Sequence, residues 1–280
     1  MPVCSYPAMR PHIHKAGFSA CRFSAVTHGI IQCTGLWVGK ATSWIQACRP
    51  HVTSNELHKA ERFMHAEDAV RHMAGRALVR RVLQASAQRA LTAEFTLNPY
   101  GKPCCQDSDV HFSISHSGGM VWAAFCRDAS VGIDVQKKLP LQDLMALVMQ
   151  LHPQEATDIR NFSANERAAA FYRCWTRKEA VLKVLGKGLS LPLDSFQVRV
   201  DHGCSDWIAS LPDEACRATA GAEYQEPGFS DGQSGVFCRQ AVAAPTGWTS
   251  LDVWSSGAYQ CGVAAQAPGL ELHVSVITKA

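Results

Sequence analysis

Apolar residues recur at helical spacing between Asn55 and Ala90, and organised sequence begins near Leu36. One face of the predicted helix carries the apolar positions Val70, Met73, Ala74, Ala77 and Leu78. These positions follow i, i+3, i+4, i+7 and i+8, the period of an amphipathic helix. Basic side chains surround the rest of it, at Arg62, Arg71, Arg76, Arg80 and Arg81.

Short strands with turn residues between them follow this helix. Residues 98–103 read NPYGKP, which is turn chemistry. Apolar and serine residues alternate in HFSIS at 111–115, MVWAAFC at 120–126 reads as a buried strand, and VGIDVQ at 131–136 alternates again. Because strand side chains alternate between faces, Asp134 and Gln136 share the face opposite the apolar one.

A second, stronger helix is predicted after a short helical region. Ser163 and Glu166 have the spacing of a capping box, and Gly186 is a natural C-terminal cap. Alternating apolar residues then indicate three more strands, at 196–200, 261–264 and 272–276. Residues 213–247 are rich in Gly, Pro, Ala and polar groups and are predicted to be an irregular insertion.

The order of these elements predicts an α+β protein made of two successive helix-plus-strand modules. We expect a poorly ordered extension at 1–34, a first module at 35–129 and a second at 130–280, with the seam near 128–131. The extension has no compact apolar segment and no Ala-x-Ala-like site, so a signal peptide is not predicted.

Composition narrows the function classes. The chain has 280 residues, 47% of them apolar and 18% charged, with a net charge of +3. Such weak positive charge does not favour a nucleic-acid or membrane surface, and no apolar run approaches the roughly 20 residues of a membrane span. Twelve cysteines occur without any Cys-x-x-Cys spacing, which predicts free thiols in a reducing cytosol rather than zinc sites or disulfides.

Two pairs of polar residues are candidates for metal chemistry. Asp134 and Gln136 are either a solvent-facing strand edge or metal ligands. Glu179 and Lys183 lie four residues apart, which is also the spacing of an ordinary surface ion pair on a helix. Together they fit phosphoryl transfer, because Mg²⁺ is held by one or two carboxylates plus substrate phosphates and a lysine can stabilise the leaving phosphate.

The segment 115–119, SHSGG, has two interpretations. Adjacent strand residues point to opposite faces, so Ser115 and His116 do not form a nucleophile–base pair, and no Gly-x-Ser-x-Gly elbow is present. The segment is either a plain hairpin turn or a strand-end turn whose hydroxyl, imidazole and backbone N–H groups meet a phosphate or base edge.

These segments in this order resemble the Sfp-type (surfactin-type) 4′-phosphopantetheinyl transferases. The resemblance covers roughly residues 57–200 and rests on YGKP, FSISHSGG, GIDV and the W-x-x-K-E-A-x-x-K pattern at 175–183. It implies two similar α/β modules related by a pseudo-twofold axis, with coenzyme A between them. The implied reaction moves 4′-phosphopantetheine from coenzyme A, a co-substrate, to a serine of an apo acyl or peptidyl carrier protein.

The resemblance also implies roles for individual residues. Mg²⁺ would be bound by Asp134 and Glu179, and Lys183 would contact the diphosphate. The nucleotide pocket would be lined by Ser115, His116, Lys102, Arg71 and Lys59. The proton of the attacking serine would go to Glu179, with Glu155 as an alternative base.

The chain departs from the family pattern at two positions. Gln136 stands where many relatives carry Glu, so we expect two carboxylates and a weak or indirect third ligand. Glu56 stands where many relatives have a basic residue near the 3′-phosphate, and Arg62 or His58 would compensate. Gln136 also supports an alternative, a non-catalytic relative that binds coenzyme A or carrier proteins. A cytoplasmic monomer that binds neither nucleic acid nor membrane is expected.

Overall fold

Two long helices, each lying against its own sheet, organise the chain. The computed structural model describes residues 12–14, 18–39, 43–87, 94–106, 108–203, 205–211 and 247–278. The helices in these ranges are α1 (Ser43–Cys48), α2 (Ser54–Glu61), α3 (Ala66–Ala87), α4 (Leu144–Val148), α5 (Pro153–Asn161) and α6 (Ala164–Leu185). Apart from Gly247, the predicted insertion at 213–247 lies outside the described residues.

The strands form two main sheets. Their bounds are β1 (His12–His14), β2 (Ile30–Trp37), β3 (Thr96–Leu97), β4 (Pro103–Cys104), β5 (His111–Ser117), β6 (Met120–Cys126), β7 (Val131–Lys137), β8 (Gln197–Val198), β9 (Ile208–Ser210), β10 (Thr249–Ser255), β11 (Tyr259–Ala265) and β12 (Glu271–Ile277). One sheet has the order β1-β12-β2-β6-β5 and the other β10-β11-β7, while β3-β4 and β8-β9 are small separate pairs.

The first module places α3 against β5 and β6. Its core contains the helix positions expected from the apolar period, and Met73, Ala74, Ala77 and Leu78 have no exposed surface. Removing these side chains from water supplies the main stabilisation of the helix, as for any amphipathic helix docked on a sheet.

The second module places α6 against β7 and β11. Gly132 makes this contact close, because a Cβ there would lie 2.1 Å from the carbonyl oxygen of Ala180. The helix ends at Gly186, whose φ of 67° is left-handed, and a Cβ there would lie 2.8 Å from Nδ2 of Asn98. At both positions only glycine fits without a backbone shift.

The chain ends do not follow the predicted division. Part of the expected extension is core, since Phe18, Ile31 and Cys33 have no exposed surface and β2 lies between β12 and β6. The last strand, β12, runs parallel to β2 within the first sheet. The predicted range 130–280 therefore contains a strand that completes the first module's sheet.

A row of serine side chains joins the two modules. Hydroxyls of β5 accept hydrogen bonds from backbone N–H groups of β7, in the pairs Ser113 with Ile133 (3.3 Å), Ser115 with Val135 (3.2 Å) and Ser117 with Lys137 (3.0 Å). The opposite edge of β7 pairs with β11. The serines therefore satisfy backbone donors that would otherwise be unpaired at a sheet edge.

Candidate active site

Asp134 lies in the middle of β7 with 2% of its surface exposed, in contrast to a solvent-facing strand edge. Its Oδ1 accepts from Ser115 Oγ at 2.7 Å and from Lys183 Nζ at 2.7 Å. Its Oδ2 accepts from Nε2 of Gln136 at 3.1 Å. A buried carboxylate needs such donors, and two of the three come from residues that the sequence assigns to the same site.

Glu179 faces Asp134 from helix α6. Burial raises the pKa of its carboxyl, the neighbouring charge of Asp134 raises it further, and Lys183 opposes both effects. Among the described residues no donor hydrogen-bonds this carboxylate. An unpaired, half-buried carboxylate beside a second one favours binding of a cation.

Lys183 lies one helical turn beyond Glu179 and bridges helix and strand. Its ammonium donates to Asp134 Oδ1 and, at 3.0 Å, to the backbone carbonyl of Ile133. The i, i+4 spacing that also fits a simple surface pair instead places both residues over the GIDV strand. Lys183 of α6 therefore contacts the strand that carries Asp134, which is the arrangement that the sequence predicts.

The donor set fits a hard cation with oxygen ligands. Gln136 adds an amide whose Oε1 accepts from Ser117 Oγ at 3.4 Å. Rotating this amide by half a turn would present its oxygen to a metal. No third His, Cys, Asp or Glu joins the two carboxylates within the described part of the chain. Two carboxylates and one amide suit Mg²⁺.

His116 and Arg71 lie beside this acidic pair. Arg71 donates to the carbonyl of Gly118 at 3.0 Å and pairs with Asp68. Although His116 is partly exposed, desolvation lowers its pKa, and the charges of Arg71 and Lys183 lower it further. These two predicted nucleotide-binding residues belong to the first module, and His116 is close enough to Lys183 for the lysine's charge to lower its pKa.

A further basic cluster lies behind Arg71. Burial lowers the pKa of His72 to about 4, and the positive charges of Arg76 and Lys59 add to that shift. Lys59 is exposed on α2, so its ammonium is accessible from solvent. A phosphate beside this cluster would meet positive charge from Arg76 and Lys59, and the 3′-phosphate site itself stays a prediction.

Glu56 lies against that cluster as an ion-pair partner, since its carboxylate is 3.9 Å from Nε of Arg76. Its carboxylate accepts from Arg80 at 3.1 Å and caps α2 by accepting from the backbone N–H of Thr53 at 3.0 Å. With 7% of its surface exposed, the side chain faces the protein interior. Its charge offsets part of the charge of Arg76, and compensation by Arg62 or His58 stays a prediction.

Lys102 is engaged by the protein itself. Its ammonium donates to the carbonyls of Lys183 at 2.6 Å and Val131 at 3.1 Å, and to Ser130 Oγ at 3.3 Å. Burial lowers its pKa to about 8. This ammonium therefore holds the end of α6, and the predicted role of Lys102 in the nucleotide pocket requires the side chain to turn away from these carbonyls.

Glu155 lies outside the acidic pair. It has no exposed surface, pairs with Lys178 at 2.9 Å and accepts from the backbone N–H of Val198 at 2.7 Å. A carboxylate in this position cannot reach a hydroxyl that arrives from solvent. This geometry disagrees with the expected role as a second base and gives Glu155 a structural role at the start of α5.

Sequence reasoning placed Ser115 in the nucleotide pocket but missed its contact with Asp134, and it missed Ser113 and Ser117 as partners of β7. Ser115 has 6% of its surface exposed, and its hydroxyl faces Asp134. Tyr259 was also missed, although its hydroxyl accepts from the backbone N–H of Gly119 at 3.1 Å. The alternating serines of FSISHS were the available signal, because they mark one polar strand face that needs partners.

Comparison with known proteins agrees with this architecture. A family profile described as 4′-phosphopantetheinyl transferase, N-terminal, matches residues 35–127, and one described as 4′-phosphopantetheinyl transferase superfamily matches residues 130–232. The 4′-phosphopantetheinyl transferase Sfp of Bacillus subtilis (strain 168) is 37% identical over 180 residues, covering 64% of this chain and 79% of the relative.

Two further relatives extend the comparison. The 4′-phosphopantetheinyl transferase psf-1 of Bacillus pumilus is 32% identical over 208 residues, 73% of this chain and 86% of the relative. The L-aminoadipate-semialdehyde dehydrogenase-phosphopantetheinyl transferase of Mus musculus is 25% identical over 237 residues, 76% of this chain and 74% of the relative.

The α+β fold, the two modules and the acidic seam define a two-module phosphopantetheinyl transferase. The chain belongs to the 4′-phosphopantetheinyl transferase superfamily, in its Sfp-type family.

Proposed function

We propose that this protein transfers the 4′-phosphopantetheine group of coenzyme A to a serine of an apo acyl or peptidyl carrier protein, releasing adenosine 3′,5′-bisphosphate, and that the reaction requires Mg²⁺. The observation that supports it most directly is the meeting of Asp134, Glu179 and Lys183 at the seam of a transferase-family fold.

The proposed metal site consists of Asp134 and Glu179, with the Gln136 amide as a weak or water-mediated ligand. When bound there, Mg²⁺ would neutralise charge on the coenzyme A diphosphate and make its phosphorus more electrophilic. Every group in this set is an oxygen donor or can become one by amide rotation, which matches the preference of the ion.

The chain's own residues then position the coenzyme and handle the proton. The carrier serine oxygen forms a bond to the β-phosphorus as the bond from that phosphorus to the bridging oxygen breaks. The serine proton passes to the unpaired Glu179 carboxylate, directly or through one water. Lys183 stabilises the negative charge on the departing bisphosphate.

The basic residues of the first module are proposed to hold the nucleotide. His116 and Arg71 lie nearest the acidic pair, and Lys59 lies farther along the same side. Arg71 and Lys59 carry the positive charge that a ribose 3′-phosphate requires, and His116, whose pKa is lowered, offers its imidazole as a hydrogen-bonding group. The nucleophile belongs to the carrier protein, which accounts for the lack of a nucleophile motif in SHSGG.

A second candidate function rests on Gln136. Losing one acidic ligand weakens a metal site, so a relative that binds coenzyme A or carrier proteins without transfer is the alternative.

We also propose a cytoplasmic monomer that uses neither nucleic acid nor membranes. No helix in the described ranges is long and apolar enough to span a bilayer.

The deciding experiment is mass spectrometry of an apo carrier protein after incubation with this protein, coenzyme A and Mg²⁺. The proposed function predicts a gain of one phosphopantetheinyl group that EDTA abolishes. Coenzyme A binding without any gain, on fatty-acid, polyketide and peptide carriers alike, would support the non-catalytic alternative.

A further inference from the structure

The serine row between β5 and β7 keeps a constant register. Ser113, Ser115 and Ser117 each accept from the residue twenty positions later, so the two strands run parallel at this seam. A shift by one residue would turn all three hydroxyls to the other face of β5. The row therefore fixes how far along β7 the first module docks.

Ser115 differs from Ser113 in one respect. Its oxygen accepts from the N–H of Val135, and its single proton goes to Oδ1 of Asp134 at 2.7 Å. Ser113 makes the equivalent bond to β7, to the N–H of Ile133. No bond from Ser113 to a carboxylate occurs among the described residues. One serine therefore docks the modules, and the other docks them and holds a site carboxylate.

The bond to Ser115 also constrains the direction in which Asp134 points. Oδ1 accepts from both Ser115 and Lys183, while Oδ2 accepts from the Gln136 amide alone among the described residues. A carboxylate held on one oxygen by a buried hydroxyl cannot rotate freely about its side-chain bonds. Hydrogen bonds of this kind orient metal-binding carboxylates and raise metal affinity.

We propose that Ser115 is a positioning residue for Asp134, and that the first module orients the metal site of the second through this hydroxyl. The inference rests on the proposed metal-dependent transfer and adds a residue to it. The implied place of Ser115 in the nucleotide pocket is thereby replaced, because its only proton is directed at Asp134 and the residue is buried.

The test compares Ser115→Ala with Ser113→Ala in the full-length protein. Mn²⁺ is the probe, and electron paramagnetic resonance measures free Mn²⁺ during titration in the presence of coenzyme A. We expect Ser115→Ala to weaken Mn²⁺ binding by about tenfold, as loss of a ligand-orienting hydrogen bond does. Ser113→Ala should leave Mn²⁺ affinity unchanged. Ser115→Thr, which retains a hydroxyl, should restore most of it.

Thermal unfolding separates this role from packing alone. Both alanine variants lose one bond to β7, so both should fold with a lowered Tm, and the Tm of Ser115→Ala should fall further because it also loses the bond to Asp134. If Ser115→Ala does not fold, Ser115→Cys, which keeps the volume but has a weaker donor, takes its place. Equal Mn²⁺ affinity in the Ser115 and Ser113 variants would overturn the proposal, as would a wild-type protein that binds no Mn²⁺. Absent transfer with this affinity pattern intact would overturn the proposed function alone.

Discussion

The ammonium of Lys183 lies 2.7 Å from Oδ1 of Asp134, so a residue proposed to contact the diphosphate is ion-paired with a proposed metal ligand. Asp134 is 3% exposed at its side chain and Lys183 27%, so the lysine has room to turn toward solvent while the aspartate does not. The ion pair therefore offsets the charge of one of the two carboxylates and leaves the lysine free to move when another cation arrives.

Lys183→Met should separate these two roles. Without the competing ammonium, Asp134 and Glu179 should bind Mg²⁺ alone more tightly, since a like charge has been removed. Transfer should fall by about 100-fold or more, because the leaving phosphate loses a stabilising cation. Calorimetric Mg²⁺ titration without coenzyme A and initial-rate measurements check the two effects. Weaker Mg²⁺ binding in this variant would contradict the competition.

Glu179→Gln should abolish transfer and leave the fold intact. The amide keeps the shape but removes both the negative charge and the proton acceptor proposed for the carrier serine. Glu166→Gln is the matched control, because Glu166 is exposed in the first turn of the same helix. Carrier modification is followed by mass spectrometry and folding by circular dichroism. Normal transfer by the Glu179 variant would remove this residue from the mechanism.

His72 should make the protein sensitive to acid. Its pKa falls from 6.5 to about 4 on folding, chiefly through burial. The unfolded chain therefore binds more protons between these values, and stability falls as pH drops from 6.5 toward 4. The partly buried ring should cost about 1 kcal/mol between pH 7 and pH 5, allowing for solvent screening.

His72→Phe should remove this acid-dependent loss. Nε2 of His72 is buried without a partner among the described residues, and the ring packs on Phe63. Phenylalanine retains the ring contact and cannot titrate. Urea unfolding of both proteins at pH 7 and pH 5 provides the comparison, and an equal loss of stability in the two would show that His72 is not the cause.

The sequence predicted those parts of the fold in which one period dominates. The apolar stripe of α3 and the cap at Gly186 both follow local rules, and both are found. The early strand β2 was missed because Gln32 and Thr34 interrupt its apolar run, and its burial depends on β12 at the far end of the chain. Pairing over such a separation leaves no local signal.

The same limit applies to the site. Asp134, Glu179 and Lys183 were predicted because their spacing repeats a family pattern, and the structure brings them together. The sequence did not predict which groups the other side chains contact. Glu155 pairs with Lys178, and Lys102 donates to backbone carbonyls. Spacing along the chain indicates the helix or strand on which a residue lies. The direction in which a long side chain points depends on tertiary packing.

Glu155→Gln should therefore reduce stability rather than catalysis. The change leaves Lys178 buried, with the carbonyls of Leu193 and Phe196 as its remaining partners. Breaking a buried ion pair on one side costs about 3–5 kcal/mol, and the two carbonyls favour the lower end. Adding Lys178→Met should recover part of that loss. Urea unfolding gives the free energies, and a fall in kcat without a fall in stability would restore Glu155 as a base.

Lys102→Met tests whether the YGKP turn serves the helix or the nucleotide. The ammonium of Lys102 and the amide of Asn98 bind the carbonyls of Lys183 and Gly186, two of the acceptors left open at the end of α6. Losing the bonds that the Lys102 ammonium makes should loosen the last turn of the helix and lower the free energy of unfolding by about 1–2 kcal/mol. Asn98→Ala loses the Gly186 bond at the same helix end and also the two bonds that its Oδ1 accepts from the backbone N–H groups of Tyr100 and Lys102. It should therefore loosen the YGKP turn and the helix end together.

Hydrogen exchange provides the sharper measurement for this pair, because it reports on the helix end itself. Amides of residues 183–188 should exchange faster in both variants, while those of α3 stay protected. Since Lys183 belongs to the loosened turn, kcat should fall more than coenzyme A affinity. Unchanged exchange together with weaker coenzyme A binding would instead mean that the Lys102 side chain turns to the nucleotide when coenzyme A binds.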